Sequence, residues 1–349
     1  MQDYTIVLSQ KSLSRVEAYR QSVADGSESA GALLRNQLRE TDAAALDTEQ
    51  FLECLLNTKQ PQIFAESAIR GDGRDWSLIE LQLLGDVSIG MGVRIFDDGR
   101  HQSPYINEAP FDGFLIYTPG ALLRNDQGES PADWMEVHHK DGTFDLSAYI
   151  ALYRRRLGPV LQWIESMASS RGRHALVTIP GMGCGQFAGS YMGTMAGKLE
   201  LALADILEDV ADSLSSVNAV WYDPYSECEM ASRTFGHLKM LTRPLLKDLF
   251  PRPQLTEPSL FGFEDCDLYS VVAWDHVSWP GNDYYVGSRA TDDGVKAAAT
   301  DTMRKMTGVA GQYNAAQAKY LPPTGYYNWR DVVYDSEIKL KASGRVFVA

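Results

Sequence analysis

Residues 269–300, YSVVAWDHVSWPGNDYYVGSRATDDGVKAAAT, decide the fold. A short apolar run over 271–274 reads as a strand and ends in Asp275. The Trp279-Pro280-Gly281-Asn282 turn then swings Asp283 back over the strand end. Thr291 and Asp292 mark a helix start, with Asp293 in the first turn and small residues behind it. A strand feeding a helix through a polar loop is the unit of an α/β layered domain. In such folds ligands bind at the carboxyl edge of the sheet, where Asp275 stands.

The rest of the chain repeats that alternation. A strand-like start at residues 4–8 leads into helix-patterned sequence to about residue 70, read as a helical cap of residues 1–70 on a body of residues 71–349. Within the body, 71–74 reads as a turn. Strands are expected at 76–84, 93–96, 114–118, 175–179, 217–222 and 268–274, with 85–92 as a loop. Helices are expected at 146–169, 193–214, 232–249 and 294–307. Residues 125–143 read as an inserted surface loop, and 313–329, rich in Tyr, Pro and Gly, as an ordered irregular cover.

The run from Ala175 to Gly189, ALVTIPGMGCGQFAG, places Gly181, Gly183, Gly185 and Gly189 just past a strand. Glycine allows positive φ and close approach of backbone N–H groups to an anion. A helix starting near Ser190 would add its free amides. Phe187 is placed to pack on a ribose or base, and Gln186 and Ala188 complete the turn. Cys184 lacks an activating neighbour in sequence, which argues against a nucleophile. A tight turn with no ligand explains the same glycines more plainly. Gly183-x-Gly185-x-x-Ala188 also fits the loose dinucleotide fingerprint, which would make the chain a Rossmann oxidoreductase. The acid due about 20 residues later falls inside a helix, which argues against that reading. No Walker lysine follows the loop.

The acids have ordinary explanations too. Asp292 reads as an N-cap, Asp293 as a first-turn acid facing the helix dipole, and Asp275 as a turn former. Asp283 is the least explained by local structure. His276 reads as a satisfied core or surface histidine. Carboxylates held close together can ligate a metal, act as an acid–base pair, or fork onto a guanidinium. An anion loop beside such acids suits a ligand carrying both a pyrophosphate and a cationic end.

The chain has 349 residues and a net charge of −14, which argues against a nucleic-acid surface. Its apolar fraction of 44% contains no window long enough to span a membrane. The four cysteines form no metal or disulfide spacing, and the first thirty residues lack a leader pattern, so a reducing, cytoplasmic setting is expected. Neither a cofactor nor a metal is expected.

The glycine loop resembles the phosphate cradle of macrodomains, and residues 271–308 resemble their second ligand loop. In ordinary macrodomains that second element comes first in the chain; here it comes last, so the order looks permuted. The run Trp274-Asp275-x-x-Ser278-Trp279-Pro280-Gly281-Asn282-Asp283, with 293–299 downstream, is more closely similar to the divergent macrodomain family that includes the Legionella effector MavL. That member removes ADP-ribose from an arginine of ubiquitin. The resemblance spans about residues 70–335 and leaves the N-terminal helices outside it. It implies a three-layer α/β/α fold with a mixed sheet, ADP-ribose as ligand, and an ADP-ribosylated protein, ubiquitin among the candidates, as substrate. It also implies delivery into a host cell as an effector. It places the functional acids on Asp275, Asp283 and Asp293. Gly181, Gly183, Cys184, Gly185, Gln186, Phe187, Ala188, Gly189, Trp279, Asn282 and Asp292 would line the ADP-ribose site. The alternative within the same fold is a reader that binds ADP-ribose without cleaving it. The 85–88 run, Gly-Asp-Val-Ser, echoes a macrodomain adenosine-side element.

Overall fold

Strand runs buried on both faces set the sheet, as at 175–180 and 268–272. In the computed structural model, residues 1–70, 74–128, 130–247 and 254–349 are described. Strand β1 (Thr5–Leu8) is followed by helices α1 (Gln10–Ala24), α2 (Ala32–Gln37), α3 (Thr48–Leu56), α4 (Ala65–Ala68) and α5 (Leu78–Gly85). Strands β2 (Ser88–Asp97) and β3 (Ile106–Pro119), helix α6 (Leu146–Ser170), strand β4 (His174–Pro180), helix α7 (Met195–Val210) and strand β5 (Val217–Asp223) come next. Then follow β6 (Ala231–Phe235), β7 (Leu238–Thr242), β8 (Cys266–Trp274), α8 (Asp292–Ala298) and α9 (Thr302–Thr307). The chain closes with β9 (Gln312–Asn314), β10 (Lys319–Leu321), α10 (Trp329–Asp335) and β11 (Val346–Val348).

Among the described residues nine strands form one mixed sheet in the order β11-β1-β2-β3-β8-β4-β5-β7-β6. The run β3-β8-β4-β5-β7 is parallel. Side chains on alternate strand positions enter two cores. Leu115, Tyr117, Leu268 and Val272 pack with α3, α5, α8 and α9 on one face. Phe114, Ile116, Val177 and Val271 pack with α6 and α7 on the other. This is the layered α/β arrangement expected, with helices on both sides of a mixed sheet. Residues 1–70 supply the expected helices and also β1, and they share an apolar core with α5, α8 and α9.

Several elements differ from expectation for local reasons. Residues 78–85 are helical where a strand over 76–84 is expected. The Ser77 hydroxyl accepts from Glu80 N, and the Glu80 carboxylate accepts from Ser77 N, a capping box that starts a helix. Strand β2 begins at Ser88, inside the stretch read as a loop. The expected helix at 232–249 is the β6–β7 hairpin over its first half, turned by Gly236 at φ 58°. Residues 248–249 of it, and 71–73 of the expected turn at 71–74, lie outside the described residues. The helix expected at 294–307 is broken into α8 and α9, because Phe96 N takes Ala299 O and Arg94 N takes the Asp301 carboxylate. The 125–143 loop is irregular, yet it sends Ala132, Asp133 and Val137 into the interior. Residues 313–329 form the small β9–β10 hairpin and the approach to α10.

Candidate active site

Strands β3, β8, β4 and β5 end side by side, with Pro119 opposite Trp274 and Pro180 opposite Asp223. Both sequence motifs leave the sheet from this edge, so the parallel register brings them together. Gly120 N donates to Trp274 O at 3.2 Å.

The glycine loop is shaped by close approach. Gly183 has φ 69°, and a Cβ there would meet Ala121 N at 2.7 Å and Tyr153 Oη at 2.9 Å. That hydroxyl donates to Met182 O at 2.7 Å and accepts from Ala121 N at 3.1 Å. Among the described residues the amides of Gly183 and Gly185, on either side of Cys184, reach no acceptor in the chain. Gly185 and Gln186 are exposed, and the Gln186 side chain accepts from Arg124 Nη1. Phe187 lies with its ring centroid 6.3 Å from that of His276. Ala188 is buried, and Gly189 turns at φ 55° within a 3-10 segment. The following α-helix begins at Met195, close to the expected 193 and too late to add free amides near Ser190. Cys184 points into the core, where burial pushes its thiol far up, so only its backbone belongs to the loop.

In the acid loop each carboxylate has different partners. Asp275 Oδ1 accepts from Val277 N at 2.7 Å and Ser278 N at 2.6 Å, while Oδ2 accepts from Asn282 Nδ2 at 2.8 Å. Asp283 Oδ2 accepts from Ala290 N at 3.0 Å and Thr291 N at 3.2 Å, while Oδ1 accepts from the Thr291 hydroxyl at 2.6 Å. Asp293 Oδ1 accepts from Gly281 N at 2.5 Å, and Oδ2 is buried with no partner among the described residues. Burial first, then the charges of Asp283 and Asp275, raise the Asp293 carboxyl well above the usual carboxylate range. The three acids are 5%, 2% and 3% exposed, so they form a recessed cluster. Gly294 makes room for it, since a Cβ there would overlap Asp283 Oδ1.

The surrounding residues hold that loop in place. Asn282 accepts from Ile63 N at 3.0 Å and donates to Ile63 O at 2.8 Å. Trp279 is buried and its indole N–H donates to Lys59 O at 3.1 Å. The helix N-cap is Thr291, whose hydroxyl accepts from Gly294 N; Asp292, read as the cap, stands one residue inside. The Asp292 carboxylate accepts from Ala273 N at 2.9 Å and pairs with Lys296 at 3.1 Å.

Several residues at this edge carried no sequence signal that was used. Arg156 and Asp133 are fully buried and paired at 2.7 Å, and Asp133 also pairs with His276 at 3.1 Å. Arg156 further donates to Gly120 O at 3.0 Å, so one guanidinium ties the floor of the glycine loop to the start of the acid loop. Burial alone would raise Asp133, but Arg156 and His276 overcome it and hold the carboxyl well below its ordinary range. Asp86 from the 85–88 run pairs with Arg15 and Arg155 at 2.6 and 2.8 Å. Lys59 is buried with its ammonium 4.0 Å above the Trp274 ring. Glu66 lies on the rim, its carboxyl raised by burial and by Asp275. Among the described residues no group of three or more His, Cys, Asp or Glu is arranged to hold a metal ion. No described helix is long and apolar enough to cross a membrane.

A family model described as "Macrodomain effector MavL" matches residues 4–326. This chain belongs to the MavL macrodomain effector family. The match begins at residue 4, so the N-terminal helices fall within the MavL family pattern, contrary to the narrower span read from sequence. Membership gives the chain a macrodomain fold and an ADP-ribose-related function of the macrodomain kind. No curated protein matches the chain. The glycine loop and the acid loop of this chain stand at one sheet edge, joined through Gly120, Arg156, Asp133 and His276.

Proposed function

We propose that this protein hydrolyses the N-glycosidic bond between ADP-ribose and an arginine side chain of a modified protein. The observation that carries the reading is Asp293, a buried carboxyl with one uncommitted oxygen, pushed towards its protonated form beside two other acids. In the reaction, water attacks the anomeric carbon and the C–N bond breaks towards the guanidine. The departing guanidine nitrogen needs a proton, and a carboxyl of raised pKa is suited to donate it. The water's proton passes to Asp275 or Asp283, each of which keeps acceptor capacity beyond its loop hydrogen bonds. The free Gly183 and Gly185 amides, with the turn through Gly189, take the pyrophosphate. Phe187 takes the ribose or base side.

A pure reader of ADP-ribose gains nothing from several carboxylates near a pyrophosphate, which favours the hydrolase over the reader. Ubiquitin is the first carrier protein to test, on the family resemblance alone. The effector description fits delivery into another cell and action in its cytoplasm. The test is Asp293→Asn and Asp283→Ala assayed for release of ADP-ribose from arginine-modified protein and, separately, for ADP-ribose affinity. Turnover falling about a hundredfold or more with affinity nearly kept supports the reading. Equal loss of both refutes catalytic roles for these acids.

A further inference from the structure

Lys59 is 3% exposed, and the mechanism above makes no use of it. Its ammonium donates to His276 O at 2.5 Å and stands 4.0 Å above the Trp274 ring. Its own carbonyl accepts from the Trp279 indole, while Gln60 N donates to Val277 O and Trp279 N donates to Gln60 O, both at 2.8 Å. Residues 59–60 are thus laced along the first half of the acid loop by their backbone, and the lysine side chain runs beneath it. Three carboxylates packed at one place repel each other and resist burial, and a desolvated cation nearby offsets both costs. Lys296 is also buried close by, but it is spent on Val271 O and Asp292.

We infer that Lys59 is a positioning residue of the acid loop, anchoring the His276 carbonyl and supplying the buried positive charge against which Asp275 and Asp293 are set. The groups facing the ammonium are Asp275 and His276 from the end of β8 and Asp293 from α8; the Trp274 face closes the remaining side. Burial brings Lys59 down to about 7, with Asp275 and Asp293 pulling the other way. Asp293 keeps its proton more tightly once that cation is gone.

The kinetic part of this inference rests on the proposed hydrolase reading; a spectroscopic part stands without it. Tryptophan fluorescence of the full chain is titrated from pH 5 to 9, in wild type and in Trp274→Phe, Lys59→Met and Lys59→Arg. A transition centred near pH 7 is expected in wild type, absent from Trp274→Phe and from Lys59→Met. The transition should be absent from Lys59→Arg too, whose guanidinium stays charged over this range, so the answer holds even if Lys59→Met does not fold. In release of ADP-ribose from arginine-modified protein, Lys59→Met should move the basic limb of kcat/KM, which the proton donor Asp293 sets, upward by about one pH unit. Lys59→Arg, which keeps the charge, should restore most of the wild-type profile. A wild-type fluorescence that does not titrate, or a Lys59→Met profile scaled down evenly without a shift, overturns the inference. If wild type releases no ADP-ribose but its fluorescence titrates as described, the hydrolase reading fails and the assignment of Lys59 stands.

Discussion

Replacing Arg156 with methionine tests how the two loops are held at one edge. Its guanidinium is fully buried, pairs with Asp133 at 2.7 Å, and donates to Gly120 O at 3.0 Å. Methionine fills similar volume but leaves Asp133 as a buried carboxylate supported by His276 and the Leu122 amide alone. Removing one partner of a buried pair costs about 3–5 kcal/mol. Against a total stability on the order of 5–15 kcal/mol, that is a large fraction. With a urea slope near 3 kcal/mol/M, the unfolding midpoint should fall by between about 1 and 2 M. Asp133→Asn added to Arg156→Met removes the stranded charge, so the double variant should lose less than the two single losses combined. The assay is equilibrium urea unfolding followed by circular dichroism. A loss below about 1 kcal/mol for Arg156→Met, the range of an exposed pair, would refute the argument.

Other outcomes follow from the same geometry. Asp133 has a depressed pKa, so its stabilising contribution is present above the unfolded carboxylate value and is lost as pH falls through the folded value. Asp133→Asn should therefore weaken the protein at pH 7 and flatten its stability loss in acid, measured as melting temperature against pH. Asp293 has the opposite sign: its folded pKa is raised, so stability is fully present below its ordinary value of 3.8 and is lost as pH rises. Asp293→Asn keeps an acceptor for Gly281 N and should melt higher than wild type at pH 7.5, with little difference at pH 4. Gly294→Ala drives a methyl into Asp283 and should cost about 1–3 kcal/mol in melting or urea experiments, with turnover falling more than ADP-ribose affinity.

The layered fold was legible because strand ends and glycine turns punctuate the chain where the parallel strands stop, at Pro119-Gly120, Pro180-Gly181 and Trp274-Asp275. Helix α6 was legible from its burial period, and the same period held an unread clue. Arg156 falls on the apolar face with Leu152, Tyr153, Leu157 and Val160, where a charge must find a buried partner. The misread at 78–85 had a signal in Ser77-x-x-Glu80, and the misread at 232–249 had one in Gly236 and Pro244. Lys59 had none. Its surroundings come from Trp274 and His276, more than two hundred residues away in sequence, and only the folded chain joins them. The acids themselves could be named from the motif, but their division of partners could not. That Asp275 and Asp283 brace the loop while Asp293 keeps a free oxygen depends on amides that tertiary structure brings within reach.

The central claim is tested most directly by incubating the full chain with arginine-ADP-ribosylated protein, beside serine- and glutamate-linked substrates, with and without a chelator. The account predicts free ADP-ribose from the arginine linkage alone, undiminished by chelation and largely abolished in Asp293→Asn. ADP-ribose bound but never released from any linkage would contradict it and leave the protein a reader.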